Sequence, residues 1–92
     1  MWVILEHKSV AKALEAVPQQ IVEKYELWKN IVRHGGPNGL RVFKGFNDEA
    51  LSGTWRGHRS SRLSQHCRVI YKADGDQLFV TVERVTKHDY RS

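Results

Sequence analysis

The sequence predicts an α+β fold: an N-terminal strand and a helical hairpin packed on a small antiparallel sheet, in the order β-α-α-β-β-β. Two observations predict it. Between Pro18 and Gly35 the apolar residues Ile21, Val22, Tyr25, Trp28, Ile31 and Val32 recur in steps of one, three and four, which aligns them on one helical face. From Gly57 onward, three short β-prone runs follow one another across tight connections, as strands of a meander do.

Taken in order, Trp2 to Glu6 is apolar and β-prone and reads as the first strand. Ser9 offers a cap for a short helix reaching about Ala16, with Ala11, Ala13, Leu14 and Ala16 as helix formers. Pro18 suits the first position of a second helix, whose polar side carries Glu23, Glu26, Lys29 and Asn30. His34-Gly35-Gly36-Pro37 ends that helix, with glycine for a left-handed cap and proline just beyond. Leu40 to Phe43 reads as extended, and Asn47 to Leu51 as one helical turn ahead of Gly53. The meander then comprises Gly57–Ser64, Cys67–Lys72 and Leu78–Val85, with Asp74-Gly75-Asp76 as the second turn. No repeat, linker or low-complexity segment interrupts the chain, so residues 1–92 are expected to form a single domain.

Side chains alternate along strands, so Ser60 and Arg62 share one face while Ser61 and Leu63 share the other. If Leu63, Val69 and Tyr71 pack on the helices, Arg62 and Arg68 project together from the uncovered face. The segment Lys87-His88-Asp89-Tyr90-Arg91 follows the last strand and is expected to fold back beside them.

Charge points to an anionic partner. Fifteen Lys and Arg against ten Asp and Glu leave a net +5, and a strongly basic small domain is the usual electrostatic footprint of nucleic-acid binding. The distribution is one-sided: Thr54 to Lys72 holds Arg56, Arg59, Arg62, Arg68, Lys72 and two histidines, with no acid. Guanidinium groups match phosphate oxygens in pairs, so an arginine-rich run suits phosphate recognition. The N-terminal apolar run is too short for a membrane span or a signal-peptide core, and a cytoplasmic location is expected.

Several chemistries are excluded. The single cysteine, Cys67, forbids an internal disulfide or a multi-cysteine zinc site. The five histidines have no paired helical spacing, so no metal and no other cofactor is expected. Gly35 to Gly39 lacks the Lys-Ser or Lys-Thr of a phosphate loop, and Ser60-Ser61 is not set in a nucleophile elbow. Arg, Lys, His and Tyr remain. That set suits cleavage of RNA by its own 2′-hydroxyl, where the protein need only move protons and neutralise charge on phosphorus oxygens.

The segment Gly57-His58-Arg59-Ser60-Ser61-Arg62-Leu63-Ser64, followed by Arg68-Val69-Ile70-Tyr71, an acidic turn, a hydrophobic strand and His88-Asp89-Tyr90, resembles the RelE/ParE toxin superfamily. Within it the chain looks most like the RelE, YoeB, YafQ and HigB branch of ribosome-dependent mRNA endonucleases, and the likeness covers nearly its whole length. The resemblance implies that Arg68 stabilises the transition state and that His88 and Tyr90 share proton transfer and substrate holding, with acid and base unassigned. It implies a phosphate contact for Arg62, and Arg59, Arg84 and Lys87 are expected to add positive charge. It also implies a cognate antitoxin as protein partner, with mRNA and ribosomal RNA as nucleic-acid partners.

Two departures stand out. Asp89 separates His88 from Tyr90, and relatives such as YoeB place a glutamate base ahead of the meander. Glu49 is the nearest counterpart here, but in a helical turn it reads better as a plain exposed side chain. A ParE-like inhibitor of DNA gyrase, binding without catalysis on the same fold, is the alternative function. An inert toxin that only binds its antitoxin is a third.

Overall fold

The second helix organises the molecule. In the computed structural model, which describes residues 1–87, it runs Gln19–Gly35 as α2 and buries Tyr25, Trp28 and Val32 completely. A shorter helix α1, Ser9–Glu15, adds Val10 to the same core. Both lie against one face of a five-stranded sheet made of β1 (Val3–Glu6), β2 (Glu49–Ala50), β3 (Arg59–Ser64), β4 (Cys67–Asp74) and β5 (Phe79–Lys87). The spatial order is β1-β5-β4-β3-β2.

Strands β2 to β5 pair antiparallel, as the meander predicts, but β1 joins the sheet in parallel beside β5, with Val3 opposite Phe79 and Glu6 opposite Val82. The sheet is therefore mixed. The chain between them, which holds both helices and the other three strands, permits this, because a parallel neighbour needs a long crossover and not a hairpin.

The sheet's inner face supplies Leu63, Val69, Tyr71, Val80, Val82 and Val85 to the core, with Leu40 and Phe46 closing one end. Trp28 is its centre. Its ring meets Tyr71 edge-on at 5.2 Å and lies near-parallel to Tyr25 at 5.8 Å, geometries that suit aromatic quadrupoles.

Helix ends differ in detail from expectation. Ser9 opens α1 without capping it; the backbone N–H of Ser9 instead donates to Nδ1 of His7 at 3.1 Å. Pro18 precedes α2 in an extended conformation, its fixed φ aiming the chain into the helix. The C-terminal stop falls where glycine allows it: Gly36 has φ +69 and its N–H donates to the carbonyl of Val32 at 2.8 Å. A Cβ there would lie 2.5 Å from the Trp2 indole, so this position excludes side chains on two grounds.

Two segments depart further. Leu40 to Phe43, expected to be extended, belongs mostly to a 3₁₀ turn over Pro37–Val42. Pro37 presets a helical φ at the start of that turn. Only Leu40 of the apolar run is buried, whereas Val42 is exposed. The helical turn expected over Asn47 to Leu51 is absent; Asn47 takes a left-handed conformation and Glu49–Ala50 pair with Ser60 and Arg59 as an edge strand. The reason is Asp48. Its buried carboxylate is hydrogen-bonded to β3 and β4, which pulls the backbone into register with the sheet.

Among the described residues no helix is long and apolar enough to cross a membrane.

Candidate functional site

Cross-strand register builds the outer face of the sheet in two rows. Glu49, Ser60, Ile70 and Arg84 are successive partners across β2, β3, β4 and β5, and Arg62, Arg68 and Thr86 form the adjacent row. Partners directly opposite each other point the same way, so these seven residues share the face that the helices leave open. Arg62 and Arg68 stand opposite each other, as strand alternation predicts once Leu63, Val69 and Tyr71 turn inward.

Arg84 and Thr86 reach this face through a bulge. Ile70 pairs with Arg84 and Tyr71 with Val82, which leaves Glu83 as an extra residue on β5. Before the bulge Val80 and Val82 are buried; after it the parity changes and Val85 is buried. Without the extra residue Arg84 would point into the core.

The open face is hollowed into a cavity of about 430 Å³, lined by Glu49, Leu51, Trp55, Ser60, Arg68, Ile70, Arg84 and Thr86. Nη1 of Arg68 donates to Oγ of the buried Ser60 at 2.8 Å and to Oε2 of Glu49 at 3.1 Å. The Arg68 side chain is only 14% exposed, whereas that of Glu49 is about half exposed. This arginine is thus fixed in place before any ligand arrives, with a carboxylate at its side. Arg84 lies over the Trp55 ring, 5.2 Å from its centroid, in cation–π geometry. His58 meets the same ring edge-on at 5.1 Å and has Nε2 3.8 Å from Glu83.

Arg59 is not part of this face. It has the inward parity of Ser61 and Leu63, and its Nε donates to Oδ2 of Asp48 at 2.8 Å. The other oxygen of Asp48 accepts from the Ser61 hydroxyl and the Tyr71 hydroxyl, each at 2.7 Å, and Ser61 in turn accepts from the Trp28 indole at 2.9 Å. Burial works against the Arg59 charge, but Asp48 more than offsets it and raises the guanidinium's pKa. Burial, and then the bond to Asp48, push the Tyr71 hydroxyl well above its ordinary 10.0. The expectation that Arg59 adds charge to the site is therefore corrected: its charge is engaged by a buried carboxylate, and it serves the fold.

Arg68 and Arg84 both line the cavity, and the exposed Arg62 stands opposite Arg68 on the same face without lining it. The backbone of Lys87 ends β5 opposite Cys67. His88 and Tyr90 lie outside the described residues. Glu49 and Trp55 are the lining residues that sequence reasoning set aside or missed. Glu49 was hidden by its helix-like context, and Trp55 by a loop whose course over the sheet depends on Gly53 and Gly57, both at positive φ. Among the described residues no cluster of three His, Cys, Asp or Glu side chains could hold a metal ion.

Several solved structures share this arrangement of a helical pair on one face of a five-stranded sheet. Archaeal RelE, from the RelE–RelB complex of Pyrococcus horikoshii OT3, superposes with a TM-score of 0.75 at 23% identity, over 99% of this chain and 98% of that one. YafQ from E. coli strain BL21(DE3) gives 0.76 at 16% identity, over 96% and 94%. The YoeB–YefM heterotetramer of Staphylococcus aureus gives 0.69 at 16% identity, over 96% and 98%. The chain has the RelE-like fold. No protein-family model and no curated protein matches its sequence.

Proposed function

We propose that this protein is the toxin of a type II toxin–antitoxin pair, acting in the cytoplasm as a ribosome-dependent mRNA endonuclease that inhibits translation. The observation that carries the reading is the fixed Arg68, locked by Ser60 and Glu49 inside an open cavity that also holds Arg84. Several structural relatives were solved bound to antitoxins (RelB, DinJ and YefM), which supports an antitoxin partner here as well.

In this reading the nucleophile comes with the substrate. The 2′-oxygen of mRNA attacks the adjacent phosphorus, the bond from phosphorus to the 5′-oxygen breaks, and the products are a 2′,3′-cyclic phosphate and a free 5′-hydroxyl. Arg68 neutralises the charge that gathers on the phosphorus oxygens, and needs no reorganisation to do so. Glu49, beside it, is placed to accept the proton of the 2′-hydroxyl. His88 and Tyr90 take part in returning a proton to the 5′-oxygen and in holding the substrate. Arg62, Arg84 and Lys87 contact flanking phosphates or ribosomal RNA. No metal and no cofactor takes part. Residues 1–92 act as one domain.

The test is to produce wild type, Arg68→Ala and His88→Ala in a cell-free translation system and map mRNA 5′ ends by primer extension. Ribosome-dependent cuts within codons, lost in both variants, are expected. Intact mRNA with gyrase supercoiling blocked would overturn the reading in favour of a ParE-like inhibitor that binds without catalysis.

A further inference from the structure

The cavity has more in it than phosphate chemistry requires. Glu49, Ser60 and Arg68 gather over β2, β3 and β4, while Arg84 and Trp55 stand over β5, with Ile70 between the two groups. From Ser60 to Arg84 the sheet spans two strand spacings, about 10 Å, a span suited to one nucleotide lying with its phosphate at one end and its base at the other. The Trp55 end is apolar as well as aromatic, because Leu51 and Ile70 line the same cavity.

Trp55 is also held in place. The turn Gly53–Trp55 is followed by bonds from the His58 N–H to the Trp55 carbonyl at 2.9 Å and from the Arg56 N–H to Gly53 at 3.1 Å. His58 packs against the ring edge at an interplanar angle of 80°. An aromatic ring held at the wall of a charged cavity, with a guanidinium over it, is a ready stacking platform for a planar group.

We propose that Trp55 and Arg84 form a stacking site for an unpaired nucleobase of the RNA whose phosphate Arg68 holds. The site rests on the endonuclease reading and deepens it, assigning to Trp55 a role in selecting the substrate. Stacking accepts every base but grows with ring area, so the site favours purines over pyrimidines.

The test uses short single-stranded RNA made 2′-O-methyl throughout, so that no nucleophile is present, and scans one abasic position along it. Affinities are read by fluorescence anisotropy for wild type, Trp55→Ala, Trp55→Phe and Arg68→Ala. In wild type, one abasic position is expected to weaken binding about tenfold. Trp55→Ala abolishes that contrast, Trp55→Phe keeps most of it, and Arg68→Ala weakens all the oligonucleotides alike. A flat abasic scan in wild type, or a contrast that survives Trp55→Ala, overturns the site. Failure to bind any oligonucleotide also overturns it. The underlying reading fails separately: if mRNA stays intact in the translation assay while the Trp55-dependent contrast persists, the stacking site stands and the nuclease does not.

Discussion

At the scale of single residues, the site depends on how Arg68 is held. Removing its guanidinium by Arg68→Ala is expected to slow mRNA cutting about 100-fold or more, the scale set by loss of a preorganised charge-stabilising group. Ser60→Ala leaves the charge but removes the hydroxyl that accepts from Nη1 at 2.8 Å. Its expected effect is therefore smaller, about 3- to 30-fold, with an unchanged melting temperature to show that the fold survives. Glu49→Gln is expected to lower the rate about 100-fold, as primer-extension time courses would show. Arg68 and Arg62 could be named from the sequence, since the charge run and strand alternation expose them, whereas Arg84 could be named but not oriented, because only the bulge at Glu83 turns it outward. Glu49 could be named but not placed, because two residues of edge strand have no periodicity to read.

At the scale of elements, the Asp48 network ties β2 to the rest. One carboxylate joins Arg59 and Ser61 of β3 to Tyr71 of β4, and through Ser61 it reaches Trp28 of α2. Asp48→Ala leaves these groups without their acceptor and is expected to destabilise the protein by about 2–4 kcal/mol, discounted for the partly exposed Arg59. Urea denaturation measures this. The tyrosines add a pH signature. Tyr25, bonded to Glu6, and Tyr71 both have folded pKa values raised above the ordinary 10.0, first by burial and then by their carboxylate partners. The folded state therefore keeps these protons after the unfolded chain has released them. Their contribution is fully present below about pH 10 and is lost as pH rises above it, so the urea midpoint should fall as pH is raised from about 10 to 11, and less steeply in Tyr71→Phe. The helices and the meander were legible because each carries several residues at its own period. The 3₁₀ turn and β2 were not, because a single buried leucine and a single buried aspartate decide them.

At the scale of the whole molecule, the net charge of +5 should appear as salt-sensitive binding. With about four or five phosphate contacts, the slope of log affinity against log salt for single-stranded RNA is expected to be roughly −3; anisotropy titrations at several salt concentrations test it. The order of layers followed from the sequence, but the parallel placement of β1 did not, because its partner lies at the far end of the chain and local pattern carries no sign of strand direction.

That placement has a consequence in time. Val3 is opposite Phe79 and Glu6 is opposite Val82, so β1 is flanked by a strand synthesised after all the other described strands. Until β5 is made, β1 has no strand to pair with, and the row that carries Arg84 does not exist. Closing so long a loop is slow compared with forming the helices. Assembly of the sheet, and with it the cavity that Arg68 and Arg84 share, therefore waits until the residues of β5 have been made.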